Sequence, residues 1–517
     1  MQSDMSRRRF VGTAVASGVV AVVPRHVLGG TGYVAPSNKI TLAHIGMGTQ
    51  GFRELGGLLA QPEIQIVAVC DPNTDSNDYV EWGKNDILNT IRTCLKKPSW
   101  RAGQSGCPGG REVGREVVDI YYATQRSAEK FRACRAYADF RELLDKEKDL
   151  DAVKVMTPDH LHATVSIAAM NRGKHVLMHK PLANRLVEGR RVVDTARKTK
   201  VATHLLAYGS GAGNGLICRW IQEGVIGRLR EIHNWSNRPV WPQYTEIPKD
   251  TPPVPKGFDW DLWLGPALDR PYHPHYTHTV FRGWYDFGGG SMADMGIYSL
   301  WPVFTALGLG VPLSAEAWAT HTCSIVDHIS RPEKNDFSYP TACTIRFQFA
   351  AGKNAPAVEL FWYDGGMKPR LPEVVESQKV EMAIEGILFV GDQGAIMAAF
   401  NGQDPLLFAK GQRVSTALLE GLDGPTILRG DASPRGDRRG QKTRGGRASS
   451  WVQAALGGEP SPGSFLNAGP ITDTVNLGTV ALRAGKKVLF DSAAVKITNV
   501  ADANKYLVRE YREGWKL

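Results

Sequence analysis

The sequence predicts an α/β Rossmann domain with a parallel, doubly wound sheet, followed by an α+β domain with a large, mostly antiparallel open sheet. The apolar run Ile40-Thr-Leu-Ala-His-Ile leads directly into Gly46-x-Gly48-x-x-Gly51 and a helix start. Strand-like and helical runs then alternate up to about residue 200, which is typical of a parallel sheet. Beyond that point, alternating strand-like runs separated by turns indicate antiparallel pairing.

The order of these runs divides the chain into three parts. We expect a twin-arginine signal peptide at 1–35, a Rossmann domain at 36–182 and an α+β domain at 183–517. The Rossmann part carries an insertion at about 74–135, and long insertions of this kind are usually functional loops or caps. Four strand-like runs are the clearest in the last part: Leu229–Trp235, Ala342–Phe349, Ala357–Tyr363 and Gly386–Val390.

The first residues resemble an export signal. Ser6-Arg-Arg-Arg-Phe10 precedes thirteen uncharged residues, Val11–Val23. This apolar run is shorter than the roughly 20 residues that span a bilayer, and an arginine pair before Phe is typical of twin-arginine signals. An ordinary basic tail is the alternative. We therefore expect a periplasmic or exported protein that is not membrane-bound in its mature form.

The net charge of +10 is concentrated in two short stretches. Residues 1–30 supply +3 and Arg429–Arg447 supply +5, which leaves about +2 for the rest of the 517 residues. A nearly neutral body argues against a nucleic-acid partner. The apolar content of 42% is enough for a sizeable core.

The glycine run predicts a dinucleotide site. We expect Gly46, Gly48, Thr49, Gln50 and Gly51 to hold a pyrophosphate at a helix N-terminus. Asp71 ends the next strand-like run, where its carboxylate accepts hydrogen bonds from a ribose diol and repels a 2′-phosphate. The sequence therefore favours NAD over NADP.

Four motifs together resemble the glucose-fructose oxidoreductase, inositol dehydrogenase and rhizopine catabolism (Gfo/Idh/MocA) family. They are the glycine run, Thr157-Pro-Asp-x-x-His162, Gly173-Lys-His-Val-Leu-Met-His-Lys-Pro181 and Gly288-Gly-Gly-Ser-Met-Ala-Asp-Met-Gly296. The likeness covers nearly everything from residue 38 onward. It is strongest to the exported, sugar-acting branch, which includes glycoside 3-dehydrogenases and NAD-dependent glycosidases.

The resemblance implies several site residues. Lys180 matches the Lys of the family's Glu-Lys-Pro motif, which stands beside the nicotinamide and the substrate hydroxyl. Asp294 would orient the sugar. Further residues are expected to line the cofactor: Thr157, Pro158, His160, His162, Lys180 and Trp284. For His160 and His162 a role limited to capping the next helix is the alternative.

Two departures from the family pattern leave the general base open. His179 replaces the Glu before the catalytic Lys, and Tyr298 replaces the His four residues after Asp294. A phenol has an unperturbed pKa near 10, so it is a poor base at pH 7 without a cationic neighbour. The candidates are Tyr298, His179 and His278.

No metal site is expected. The seven cysteines show no C-x-x-C spacing. The histidines of Tyr272-His-Pro-His-Tyr-Thr-His278 lack a nearby Cys or carboxylate pattern, so sugar contacts are the favoured interpretation.

These inferences lead to one functional hypothesis and two alternatives. The protein would be an NAD-dependent enzyme that removes hydride from a secondary hydroxyl, at C3, of a sugar or glycoside, with a tightly held cofactor. It could instead be a redox-neutral glycosidase that works through a 3-keto intermediate, or a non-catalytic sugar-binding protein that contains NAD. The resemblance also implies a homo-oligomer.

Overall fold

A computed structural model describes residues 39–208, 214–333, 335–352, 356–414 and 449–517. The predicted signal peptide at 1–35 and the basic stretch Arg429–Arg447 lie outside the described residues. Among the residues that are described, no helix is long and apolar enough to cross a bilayer.

The first part of the chain forms a six-stranded, entirely parallel sheet in the order β5-β2-β1-β6-β7-β8. Its elements are β1 (Ile40–Ile45), α1 (Thr49–Leu59), β2 (Ile64–Cys70), β3 (Ser76–Tyr79), α2 (Asp86–Leu95), β4 (Cys107–Gly109), α3 (Arg111–Gln125), β5 (Arg135–Tyr137), α4 (Phe140–Lys146), β6 (Ala152–Val155), α5 (His162–Asn171), β7 (His175–Met178), α6 (Leu186–Thr199) and β8 (Thr203–Leu205). The strand order reverses between β1 and β6, and ligands of doubly wound sheets bind at that point, outside the carboxyl ends of the strands.

The parallel sheet continues past residue 182, where the sequence placed the end of the Rossmann domain. β8 pairs with β7 in parallel, so its three residues belong to the first sheet. The three residues Thr203–Leu205 are too few to show a periodic apolar pattern, so the sequence did not indicate a strand there. Strand β6 is buried along its whole length, as expected for a strand covered by helices on both faces.

The insertion lies between β2 and α3 and has structure of its own. β3 and β4 form an antiparallel pair, and α2 packs against α1. Ile87, Leu88 and Ile91 belong to the buried apolar face of α2. The insertion therefore covers the helix that follows the glycine run, as a cap would.

The second part of the chain forms a ten-stranded sheet in the order β18-β17-β16-β15-β9-β14-β13-β10-β19-β20. Its elements are α7 (Asn214–Gln222), β9 (Leu229–Trp235), α8 (Trp260–Leu264), α9 (Ile297–Leu307), β10 (Ser314–Ala319), β11 (Cys323–Val326), β12 (Ile329–Pro332), β13 (Cys343–Phe349), β14 (Val358–Tyr363), α10 (Glu373–Glu376), β15 (Gly386–Gly391), β16 (Gly394–Ala399), β17 (Leu406–Ala409), β18 (Gln412–Val414), α11 (Ser450–Ala455), α12 (Phe465–Ala484), β19 (Val488–Asp491) and β20 (Lys496–Ile497). All pairs are antiparallel except β9 with β14. The predicted fold class is confirmed.

One hydrophobic core joins the two sheets. Val153 and Val176 from the parallel sheet belong to the same buried cluster as Ile345 and Phe347 from the antiparallel sheet. Helix α12 lies between them, in contact with α6 on one side and with β10 and β13 on the other. The two domains are therefore packed so that the carboxyl ends of the parallel strands face residues of the second domain.

Candidate cofactor and active site

The glycine run makes a turn that only glycine can make. Gly46 has φ +99°, and a Cβ there would lie 2.5 Å from the backbone carbonyl of Met156. A Cβ on Gly51 would lie 2.5 Å from the carbonyl oxygen of Gly46. The turn therefore brings β1, the start of α1 and the end of β6 into direct backbone contact.

Helix α1 begins with its first N–H groups uncapped by side chains. Gly48 is the N-cap residue and has no side chain to accept from them. The Thr49 hydroxyl donates to the carbonyl of Val80 (2.7 Å), and the Gln50 amide donates to Glu54 (2.8 Å). Thr49 and Gln50 would therefore hold a phosphate through their backbone N–H groups, since their side chains are engaged elsewhere.

Asp71 lies at the end of β2 and faces the glycine run. Its carboxylate accepts hydrogen bonds from the backbone N–H of Met47 (2.7 Å) and of Asn73 (2.8 Å). Burial raises its pKa to about 6 against the lowering effect of those two bonds. A carboxylate has about four lone-pair sites, so it retains acceptor capacity for a ribose diol.

The insertion closes over the glycine run through Tyr79. A Cβ on Gly48 would lie 2.9 Å from Cε1 of Tyr79. The Tyr79 ring is 4.0 Å from the ring of His278, and His278 Nε2 is 3.6 Å from Asp78 Oδ1. Burial lowers the pKa of His278 to about 4. His278 therefore takes part in the contact between the insertion and the second domain, and its role as a general base stays a prediction.

A cleft of about 470 Å³ lies beyond Asp71, between the two domains. Both the backbone N–H and the hydroxyl of Thr74 donate to the carbonyl of Gly257 (2.9 Å each), and the N–H of Asp259 donates to Pro72 (3.1 Å). No motif in the sequence indicated this junction. Its lining residues are Pro72, Thr74, Arg111, Ala138, Val254, Gly257, Phe258, Asp259 and Trp260.

The end of β6 contributes Thr157 and two buried histidines. Within the part of the chain that is described, the Thr157 hydroxyl is buried without a hydrogen-bond partner. His160 Nε2 lies 2.9 Å from the carbonyl of Trp263, and burial lowers its pKa to about 3. His162 lies between the carbonyls of Pro181 (2.6 Å) and Thr157 (2.9 Å). Both imidazoles therefore hold backbone in place, and their contact with the cofactor stays a prediction.

These groups fit an adenine dinucleotide. The uncapped start of α1 suits a pyrophosphate, the Asp71 carboxylate suits a ribose diol, and the Thr157 hydroxyl is a buried group that lacks a partner. Pro158 precedes the short helical turn Asp159–Leu161 at the same strand end. Within the described ranges, no group of three or more His, Cys, Asp or Glu side chains could hold a metal ion.

The centre of the site is an ion pair between Lys180 and Asp294. Lys180 follows β7 and is 2% exposed, and its ammonium donates to Oδ1 of Asp294 in the second domain. Burial lowers the pKa of Lys180 to about 8, although Asp294 opposes that shift. The surrounding cations hold the pKa of Asp294 well below its usual range despite its burial. The pair is therefore ionised at neutral pH, with an amine that loses its proton under mildly alkaline conditions.

Two arginines that the sequence did not single out complete this centre. Arg282 Nε is 3.7 Å from Asp294 Oδ1, and its Nη1 is 3.2 Å from Oδ1 of Asp159. Arg238 Nε is 3.6 Å from Asp294 Oδ2, and its Nη1 is 3.5 Å from Oε1 of Glu385. Asp159, Arg238, Arg282 and Glu385 come from four separate stretches of chain. No local motif could therefore have indicated that they meet.

The geometry of the second domain explains how Asp294 reaches Lys180. Asp294 lies in a π-helical turn, Met292–Gly296, that runs into α9. The backbone N–H of Gly289 donates to Asp159 Oδ2 (3.0 Å), which ties this segment to the end of β6. Tyr298 lies in the first turn of α9, with its ring centroid 5.3 Å from Lys180 Nζ. Of the three candidate bases, Tyr298 is the one brought to the ion pair.

The His179 side chain is directed towards α1. Its Nε2 lies 3.7 Å from Oε1 of Glu54 on α1, and Glu54 also pairs with Lys154 of β6 at 2.9 Å. Burial, followed by the charges of Lys180 and Arg282, lowers its pKa well below the ordinary histidine value. The imidazole is therefore neutral and directed at α1, which argues against its role as the base.

Trp284 is buried inside the second domain. It is 1% exposed, its indole N–H donates to the carbonyl of His275 (2.7 Å), and its ring stacks on Tyr244 at 5.1 Å. It belongs to an aromatic cluster of the second domain that also contains Tyr276 and Phe287. Trp284 therefore packs within this aromatic cluster, and its contact with the cofactor stays a prediction.

Comparisons with known proteins agree with this architecture. Residues 96–206 match the profile described as "Oxidoreductase family, NAD-binding Rossmann fold", and residues 218–359 match "Oxidoreductase family, C-terminal alpha/beta domain". The WlbA dehydrogenase from Chromobacterium violaceum, solved with NADH and UDP-GlcNAcA, has the same fold: its TM-score is 0.50 at 14% identity, over 88% of this chain and 97% of that one.

Two relatives match shorter stretches. The levoglucosan dehydrogenase of Pseudarthrobacter phenanthrenivorans is 34% identical over 123 residues, which is 22% of this chain and 31% of that protein. A glycosyl hydrolase family 109 protein of Shewanella sp. (strain MR-4) is 25% identical over 212 residues, 41% of this chain and 38% of that protein. The chain thus spans about a third of the length of each relative. The chain therefore matches both domain models of the Gfo/Idh/MocA oxidoreductase family, the NAD-binding Rossmann domain over residues 96–206 and the C-terminal α/β domain over residues 218–359.

Proposed function

We propose that the protein is an NAD-dependent oxidoreductase that removes hydride from a secondary hydroxyl, at C3, of a sugar or glycoside. One observation carries the proposal: a buried lysine with a pKa of about 8 is paired with Asp294 at the carboxyl end of β7. That edge of the sheet is where a Rossmann domain presents the nicotinamide. An amine there can take a proton near physiological pH.

Lys180, Asp294 and Arg282 would each have a separate role in the oxidation of an alcohol. Bound NAD⁺ supplies the hydride acceptor. The Lys180 amine takes the hydroxyl proton as the carbon loses its hydride, so the alcohol becomes a ketone and one proton is left on the enzyme. Asp294 accepts a hydrogen bond from a neighbouring hydroxyl, and Arg282 adds a fixed positive charge that favours the developing alkoxide.

A second candidate function begins with the same oxidation. A ketone at C3 acidifies the hydrogen at C2, so the anomeric substituent can be eliminated and the hydride returned in a redox-neutral glycosidase. The match to a glycosyl hydrolase family 109 protein over 212 residues favours this candidate. The two differ in outcome: one accumulates NADH and a keto-sugar, and the other releases the aglycone.

We further propose that the enzyme holds its NAD tightly, is exported and forms a homo-oligomer. The contacts of Tyr79 with His278 and of Thr74 with Gly257 close the insertion over the cofactor side, which supports tight retention of NAD. Tight retention suits export through a twin-arginine signal, because free NAD is scarce outside the cytoplasm. Alternate residues of β13 and β14 are buried, so the other face of the large sheet is available to a second copy in a homo-oligomer.

The purified protein, incubated with a panel of glucosides and galactosides, should give one of two signals. Absorbance near 340 nm together with a keto-sugar in the mass spectrum supports the dehydrogenase, and aglycone release without net NADH supports the glycosidase. Absence of NADH, keto-sugar and aglycone across the whole panel would reject the proposed function.

The pH dependence of sugar oxidation should follow Lys180. The amine accepts a proton only in its neutral form, so kcat should rise as the pH passes through about 8 and level off above it. Single-turnover absorbance traces between pH 6 and 10 would measure this midpoint. A profile that is flat across this range, or that falls above pH 8, would contradict the assignment of Lys180 as the proton acceptor.

Cofactor preference should depend on Asp71. Asp71→Asn removes the charge that repels a 2′-phosphate, so we expect the Kd for NAD⁺ to rise about tenfold and discrimination against NADP⁺ to fall. Titration of the apoprotein with both nucleotides would measure it. The matched control is Asp145→Asn, since Asp145 is an exposed residue paired with Arg172. Unchanged affinity for both nucleotides would contradict the placement of the diol at this carboxylate.

A further inference from the structure

One short segment carries buried polar atoms that nothing in the described part of the protein satisfies. They are Nε of Arg238, Nε1 of Trp241 and both amide atoms of Gln243. Trp241 is 5% exposed. Native proteins leave few buried polar atoms unpaired, and each such group calls for an explanation. Several of them within six residues point to a ligand that supplies the missing partners.

This segment, residues 238–243, contacts Asp294 at one end and the stretch that carries Arg282 at the other. At one end Arg238 Nε lies 3.6 Å from Asp294 Oδ2. At the other end Gln243 Oε1 lies 2.7 Å from the point where a Cβ on Gly283, the neighbour of Arg282, would be. The next residue, Tyr244, is fixed by stacking on Trp284. The 238–243 segment, called the wall below, therefore lies beside Asp294 at one end and beside the stretch that carries Arg282 at the other.

The charges around this wall are balanced. The cations Lys180, Arg238 and Arg282 face three carboxylates, those of Asp159, Asp294 and Glu385. Donors and acceptors both occur here: Gln243 has an N–H₂ and a carbonyl oxygen, the arginines have guanidinium donors, and Asp294 and Glu385 have carboxylate acceptors. A hydroxyl can donate and accept, so it matches such a surface. A carboxylate or phosphate only accepts, and it would add a buried negative charge beside Asp294 and Glu385.

We propose that the 238–243 segment is the specificity wall of the site and that it selects uncharged, hydroxyl-rich sugars over acidic ones. Gln243 pairs with a ring hydroxyl away from the oxidised carbon, and Arg238 Nε donates to another. This inference rests on the proposed function, because it names the class of sugar that the same site takes.

Matched substrates test the selection. Methyl glucopyranoside and methyl galactopyranoside would each be compared with the uronate of the same ring, on the holoenzyme. We expect kcat/KM for the uronate to be lower by at least about 100-fold. Calorimetric binding of the same four compounds provides a readout that does not need turnover, and the neutral member of a pair should bind more tightly.

Substitution of Gln243 tests the wall directly. Gln243→Leu removes both amide partners, so the KM and the calorimetric Kd for the neutral glycoside should rise about tenfold with kcat little changed. Gln243→Glu keeps the size of the side chain, so it serves if the Leu variant does not fold, and it should weaken uronate binding further. The matched control is Gln412→Leu, in the exposed edge strand β18.

The outcomes separate this inference from the proposed function. Turnover of none of the sugars would reject the proposed function, and the calorimetry would still decide the inference. A uronate that binds as tightly as its neutral partner would overturn it. So would absence of binding by all four compounds, or a Gln243→Leu variant with unchanged KM and Kd.

Discussion

Replacing Lys180 by Met should lower kcat for sugar oxidation by about three to four orders of magnitude, the largest effect expected from any single change in this protein. The amine is the one group in the ion pair that can accept a proton near pH 8, and Met removes that proton acceptor. Stopped-flow measurement of NADH formation at saturating sugar would give the loss directly.

The fold should survive this change. Asp294 keeps Arg238 and Arg282 within 3.7 Å, so its carboxylate is not left without a countercharge. Nucleotide affinity should be retained, because the glycine run and Asp71 are untouched. Lys146→Met, at a residue whose side chain is 62% exposed, is the matched control. A Lys180→Met variant with kcat within tenfold of the parent would remove Lys180 from the chemistry, and sugar affinity without any turnover in the parent would favour the non-catalytic binding protein.

The sequence was sufficient where a function depends on consecutive residues. The turn of Gly46-x-Gly48-x-x-Gly51 needs glycine for steric reasons, and Asp71 follows a strand whose register is fixed by burial, so both positions were predictable. Lys180 and Asp294 were identified through motifs, and the structure joins them as one ion pair. The parallel and antiparallel sheets followed from the periodicity of the apolar residues.

The sequence was insufficient where a site is assembled from distant segments. Arg238 and Arg282 reach Asp294, and Glu385 reaches Arg238, only because the end of β9, the segment before the π-helical turn and the start of β15 lie near one another. The directions of the histidine side chains were not predictable, for a related reason. His160 and His162 lie beside a strand end, yet their ring nitrogens face backbone carbonyls, and the direction of a buried imidazole depends on neighbours that the sequence does not place.

Asp294→Asn should have the second largest effect, because it removes the one carboxylate shared by Lys180, Arg238 and Arg282. Breaking a buried ion pair costs about 3–5 kcal/mol, so the free energy of unfolding should fall by about that amount. The loss should be greatest at neutral pH: the folded-state pKa of Asp294 is depressed, so the parent's stabilisation is present above the ordinary Asp pKa of about 3.9 and is lost as the pH falls below it.

The same variant should move the pH profile of the enzyme in a direction that simple destabilisation would not produce. Without the carboxylate, Lys180 keeps its burial and the repulsion of Arg282, the two effects that lower its pKa, and loses the charge that raises it. The midpoint of kcat should therefore shift from about 8 to a lower pH, with kcat itself reduced about 10- to 100-fold because the sugar loses an orienting acceptor. Chemical denaturation and single-turnover profiles would measure both effects, with Asp194→Asn, at a residue whose side chain is 69% exposed, as the matched control. A midpoint that stays at 8 or rises would show that Asp294 does not set the proton affinity of Lys180, and the ion pair would then be structural.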